Sequence, residues 1–287
     1  MVTENNSSLG LRLKDIPQSV MDHVQNELGN FFVPILGQSG SEPPDLRLIG
    51  SGTLVQINGV RYILTAAHVW HRANDFEIIL LGLASRAVSL CPIPRTHIVA
   101  KELWSEDDAR WGPDLALLAI TQSHASTIGA HKSFLNLSQQ RAVLLERPSE
   151  IDKKLCAITG MEGETSMISP DPGTRTIDAH INCQAFFSAV NCIHDHGEYD
   201  YLDIGVQLTL PGVPFSFGGV SGGGLWEIDL LRNKSGEILW NGKKYFRGVA
   251  FWQSERSDGR RVIRCHGPRS IFEKAWIDWE LAEAVER

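Results

Sequence analysis

The stretch Arg47-Leu48-Ile49-Gly50-Ser51-Gly52-Thr53-Leu54-Val55-Gln56-Ile57, then Asn58-Gly59, then Val60-Arg61-Tyr62-Ile63-Leu64 constrains this chain more than any other segment. Asn-Gly tolerates the left-handed backbone of a two-residue turn whose twist matches the flanking strands, so an Asn-Gly pair between two β-branched, apolar runs specifies a β-hairpin. Short strand candidates recur beyond it at Phe76–Leu81, His97–Ala100, Leu115–Ile120, Leu155–Gly160, Thr176–Cys183, Tyr201–Leu208, Gly224–Ile228 and Phe246–Trp252. Such a succession of short strands predicts an all-β chain. Helical spacing appears at the two ends. Apolar residues at 16, 20, 21, 24 and 28 predict an N-terminal helix stopped by Gly29, and Ile271, Phe272, Ala275, Trp276, Trp279, Leu281 and Ala282 suit one face of a C-terminal helix. Pro268 stands near the start of that second helix, with Ser270 as its expected cap.

Three segments carry chemistry. Thr65-Ala66-Ala67-His68 ends the hairpin, Gly112-Pro113-Asp114-Leu115-Ala116-Leu117-Leu118 opens a strand, and Gly218-Gly219-Val220-Ser221-Gly222-Gly223-Gly224 sets a lone serine among glycines. A serine hydroxyl needs an adjacent base at neutral pH. Histidine suits that task because its ordinary pKa lies near 6.5, and it can return the proton to a leaving amine. A buried carboxylate on the far ring nitrogen fixes the tautomer and stabilises the imidazolium. Glycines around the serine let the N–H groups of Gly219 and Ser221 face a developing oxyanion. Each segment has a plain alternative: an incidental serine in a turn, a core histidine, a loop aspartate. Asp107 and Asp108 rival Asp114 but lack the strand-like run that follows it. The chain order His68, Asp114, Ser221 matches one hydrolase lineage and not the others.

On these blocks the chain resembles the trypsin-like, chymotrypsin-fold serine peptidases of bacterial type, over roughly residues 45 to 280. The resemblance implies two six-stranded antiparallel β-barrels. An N-terminal extension with a short helix would occupy residues 1–45. A first barrel carrying His68 and Asp114 would follow over 46–150, and a second carrying Ser221 plus the C-terminal helix over 151–287. It assigns base to His68, orienter to Asp114, nucleophile to Ser221 and oxyanion donors to Gly219 and Ser221. It also makes Phe246–Trp252 the strand that pairs with substrate, with Phe251 and Trp252 bordering the groove and core packing as the alternative for both.

Two departures from the digestive type carry information. Val220 stands where those enzymes have an aspartate that receives a new amino terminus, so activation by N-terminal trimming is not expected. Phe215 stands where a basic-specific pocket has its aspartate. The expected pocket is therefore apolar, with Lys and Arg rejected because an unpartnered cation is costly to bury.

Composition bounds the partners. At 287 residues and 43% hydrophobic the chain can bury a full core, and two barrels of about 100 residues each fit. A net charge of −7 argues against nucleic acid or an anionic membrane surface as partner. The first eight residues lack a basic region followed by an apolar stretch, and the five cysteines are odd in number, so a cytoplasmic setting with reduced thiols is expected. Cys192-Ile193-His194-Asp195-His196 offers ligand types without a second pair at ligand spacing, so a solvated loop is expected there and neither metal nor cofactor is called. His266 reads either as pocket lining or as turn packing. The expected activity is that of a serine endopeptidase on a protein or peptide substrate, restrained by a regulatory protein partner. The alternatives are a catalytically silent fold kept as a protein-binding module, and an esterase with the same triad.

Overall fold

The computed structural model describes residues 13–41, 45–83, 89–106, 109–146, 154–163, 166–171, 176–180, 183–209, 213–276 and 279. Its hairpin is the expected one. β2 (Leu46–Ile57) and β3 (Val60–Thr65) pair from Ile57↔Val60 to Thr53↔Leu64, and Asn58 takes a φ of 49° at the turn. Both faces are covered: Leu54 and Ile63 enter one core cluster, Val55 and Leu64 another. That double burial explains why apolar residues run consecutively there instead of alternating.

Around this hairpin the chain forms two large antiparallel sheets. The first takes β1 (Phe32–Gln38), β2, β3, β4 (Ile78–Gly82), β5 (Leu90–Pro94), β6 (Ile98–Trp104) and β7 (Asp114–Ile120) in the order β5-β4-β1-β2-β3-β7-β6. A two-residue strand β8 (Leu135–Asn136) joins β2 in parallel, making eight strands. The second has seven strands in the order β12-β9-β15-β16-β17-β14-β13. These are β9 (Leu155–Met161), β12 (Cys183–Ser188), β13 (Val190–His196), β14 (Tyr199–Gln207), β15 (Gly224–Arg232), β16 (Ile238–Gln253) and β17 (Arg260–His266). Between β9 and β12 a separate ribbon pairs β10 (Met167–Asp171) with β11 (Thr176–His180).

Among the described residues the two sheets have eight and seven strands, where two six-stranded barrels are expected. The surplus includes edge strands with disguised sequences. β5 contains two prolines, which an edge tolerates because its outer N–H groups need no partner. β13 is mostly polar and exposed, and it corrects the expectation of a loop at Cys192–His196: the loop proper begins at Gly197, with a φ of 59°.

Helices close the ends and corners. α1 (Gln18–Gly29) buries Val24 and Leu28, each contributing about 1.5–3 kcal/mol by leaving water. α2 (Ala67–Ala73) follows β3 directly, while α3 (Gln122–Gly129) and α4 (Leu137–Glu146) follow β7. The terminal helix Ser270–Ala275 is wound as a π-helix, with Ile271, Phe272, Ala275, Trp276 and Trp279 buried; Leu281 and Ala282 lie outside the described residues. Ser270 does not cap it with its side chain. The Asp200 carboxylate reaches across from β14 and accepts the N–H groups of Arg269 at 3.2 Å and Ser270 at 2.7 Å.

The largest core cluster draws on both sheets and both end helices, including Leu28, Leu64, Leu117, Trp226, Phe246 and Ile271. Glu227 and Arg247 form a buried ion pair in which Arg247 Nε donates to Glu227 Oε2 at 2.7 Å. Among the described residues no helix is long and apolar enough to cross a membrane.

Candidate active site

β3 ends at Thr65, and the chain turns at once into α2, putting His68 in the first turn of that helix. Asp114 opens β7, which pairs with β3, so the two residues meet across neighbouring elements of one sheet. Asp114 Oδ2 lies 2.6 Å from His68 Nδ1, and Asp114 Oδ1 accepts the His68 backbone N–H at 2.9 Å. The carboxylate is buried, while the imidazole side chain keeps 21% exposure. With Nδ1–H held by the aspartate, the neutral ring presents the lone pair of Nε2 outward.

Behind the aspartate stands a second histidine. Asp114 donates its backbone N–H to His266 Nε2 at 3.1 Å. His266 ends β17, is wholly buried, and stacks on Phe251 with centroids 4.3 Å apart. Burial pushes its pKa down to about 3, against the opposing pull of Asp114, so the ring stays neutral and Nε2 can accept. Arg264 strengthens the same wall. Its guanidinium grips Asp203 through two hydrogen bonds of 2.7 and 2.8 Å, donates to the Arg110 carbonyl, and lies 3.7 Å from the Trp111 ring centroid. The segment leading into Asp114 is thereby fixed.

Ser221 arrives from the second sheet, on the turn before β15. Ser51 of β2 ties that turn down: its N–H donates to the Ser221 carbonyl at 2.8 Å, and its hydroxyl donates to the Gly219 carbonyl at 2.5 Å while accepting the Met161 N–H at 3.0 Å. Gly222, with a φ of 88°, has no room for a side chain; a Cβ would lie 2.0 Å from the Ser51 carbonyl oxygen and 2.1 Å from Thr65 Oγ1. Gly50 fits between the Val69 side chain and the Ser221 carbonyl, so the serine turn lies against the residue next to His68. Among the described residues no hydrogen bond joins Ser221 Oγ to His68. That contact is commonly loose in resting hydrolases and tightens when substrate fills the site.

The backbone of the turn is selective in what it leaves open. Gly218 N–H donates to Ser216 Oγ at 3.2 Å, Val220 to the Phe217 carbonyl at 3.0 Å, Gly222 to the Ala250 carbonyl at 2.7 Å and Gly223 to the Val220 carbonyl at 2.8 Å. Gly219 and Ser221 are the exceptions: among the described residues their N–H groups have no acceptor. Gly219 holds a φ of 102°, a conformation that favours glycine.

The expected substrate-side residues are arranged differently from one another. Phe215 is 60% exposed, with the Arg256 guanidinium 5.3 Å from its ring, so it does not floor a closed pocket. Phe217 is the aromatic that turns inward, edge-on to Phe186. Phe251 is core, stacked on His266, and Trp252 is half-buried beside Arg110 and Arg264. Ser51, Gln253 and Arg261 escaped the sequence reading, because nothing about a strand serine, glutamine or arginine announces what it will meet across a sheet.

On β13, His194 Nε2 lies 2.9 Å from Asp203 Oδ2, and Trp111 stacks on His196. No group of potential ligands that could hold a metal ion occurs among the described residues. The five cysteines are unpaired; Cys192 alone is exposed, and burial pushes the thiols of Cys156 and Cys183 up to about 12. Neither a family model nor a curated protein matches the chain.

Proposed function

We propose that this chain is a serine endopeptidase, a chymotrypsin-like pair of β-barrels that hydrolyses peptide bonds of a protein substrate through His68, Asp114 and Ser221. The observation that carries the reading is the pair of open N–H groups at Gly219 and Ser221, in a turn seated beside a His68–Asp114 hydrogen bond of 2.6 Å.

His68 Nε2 takes the Ser221 proton as Oγ attacks the scissile carbonyl carbon. Charge gathers on the carbonyl oxygen, where the two N–H groups receive it; one such donor contributes about 10²–10³ in rate. Asp114 stabilises the imidazolium and holds its orientation. His68 then gives its proton to the leaving amine, the amine departs, and an ester to Ser221 remains. Water attacks that ester with His68 again as base, releasing the acid and restoring the serine.

Incubating an unstructured protein with wild type and with Ser221→Ala, and reading new amino termini by mass spectrometry, tests the reading. New termini with wild type alone are expected. Equal, background-level termini in both would leave the fold as a protein-binding module.

A further inference from the structure

The turn carrying Ser221 and the end of β16 form two walls running side by side. At one end Gly222 donates to the Ala250 carbonyl at 2.7 Å; at the other, Phe217 N–H donates to Gln253 Oε1 at 3.0 Å. Gln253 Oε1 also accepts from Arg261 at 2.7 Å. The Gln253 end of these walls therefore carries a guanidinium, linked to the Ser221 turn through one side-chain oxygen.

That guanidinium is short of acceptors. Arg261 is half-buried, its Nε is buried without a hydrogen-bond partner, and among the described residues no carboxylate pairs with it. Arg256, over Phe215 at the same end, also lacks a carboxylate among the described residues. Elsewhere inward-facing cations meet carboxylates, as Arg247 does Glu227, Arg264 Asp203, Lys244 Glu27 and Lys154 Asp229, or backbone carbonyls, as Lys132 does Gly29, Arg141 Phe272 and Arg61 Ala125. Glu162, next to the Gly163 that hydrogen-bonds Gly218 of the turn, is buried and accepts from Gln184 Nε2 at 3.3 Å. In a chain of net charge −7, a half-buried guanidinium whose buried Nε has no acceptor, with the exposed Arg256 beside it, marks a place where a donor awaits an acceptor.

We propose that these walls border the substrate site and that their Gln253 end binds the carboxylate of a glutamate or aspartate side chain on the acyl side of the scissile bond, with Arg261 as its principal partner and Arg256 at the rim. The proposal rests on the serine-peptidase reading and replaces the apolar pocket expected from Phe215. A glutamine side chain would set an NH₂ donor against donors and be discriminated against, and a lysine would meet like charge.

The test is hydrolysis of peptides matched except for Glu, Gln, Leu or Lys at that position, with fluorophosphonate labelling of Ser221 measured alongside. Glu should exceed Gln by at least about 30-fold in kcat/KM, as expected for a partly buried charge pair. Arg261→Gln should collapse that ratio to about threefold or less, and Arg261→Lys should keep part of it. If Arg261→Gln does not fold, the wild-type ratio and its reduction in Arg256→Gln decide. Preference for Leu or Lys by an enzyme whose Ser221 is labelled overturns the subsite and leaves the peptidase reading standing. Absence of labelling overturns that reading, and the subsite with it.

Discussion

Asp114 faces two histidines at once, and its link to His266 is the one that fixes the backbone: its N–H donates to His266 Nε2 at 3.1 Å, while its carboxylate holds His68. The proposed base is thus oriented by a carboxylate whose own peptide is held by a second ring, which burial keeps neutral near pH 7. His266→Leu removes the acceptor from a buried N–H and should cost about 1–3 kcal/mol, seen as a lower urea midpoint at unchanged slope.

The same ring sets an acid sensitivity. Its pKa is about 3 folded against 6.5 for the free group, so protonation favours the unfolded chain. Its contribution is complete above about pH 6.5 and is lost progressively as pH falls towards 3. At full effect one such group steepens the loss of stability by about 1.4 kcal/mol per pH unit. Urea melts at pH 7 and pH 5 should show His266→Gln losing less stability between them than wild type.

Ser51 should behave as a positioning residue. Ser51→Ala frees the Gly219 carbonyl and orphans the Met161 N–H, which loosens the turn presenting the oxyanion donors. The loss should appear in kcat more than in KM, of roughly tenfold or greater, since the donors act chiefly on the transition state.

The Glu227–Arg247 pair is fully enclosed. Glu227→Gln leaves an uncompensated buried cation and should cost about 3–5 kcal/mol in thermal or urea unfolding. Replacing both residues by apolar ones of similar volume should cost much less.

Legibility followed local signal. The Asn58-Gly59 hairpin, the strand after Asp114 and the period of α1 were readable because turn chemistry and periodicity are written in neighbouring residues. β5 and β13 were not, since prolines and polar side chains at a sheet edge look like loop. The residues of the proposed triad stood out by residue type and order. Phe215 misled because Pro214-Phe215-Ser216-Phe217 has two aromatics and no periodicity to say which turns inward; burial went to Phe217. Ser51, His266 and Gln253 act on partners distant in sequence, and Arg261 is seen only through Gln253; no local pattern encodes such pairings.

The two proposed catalytic side chains should fail as a unit. Ser221→Ala or His68→Ala alone should lower turnover by roughly 10⁴ or more, and the double variant should be little worse than either. Additive losses would separate the two residues mechanistically.

Fluorophosphonate labelling of the untrimmed chain, with the adduct located by mass spectrometry, tests the central claim most directly. Val220 is buried in the core beside Gly160 and has no carboxylate to receive a new amino terminus. The account therefore predicts one adduct, on Ser221, formed without prior cleavage, slowed strongly by His68→Ala and absent in Ser221→Ala. An unlabelled Ser221 in the folded, full-length chain would contradict it.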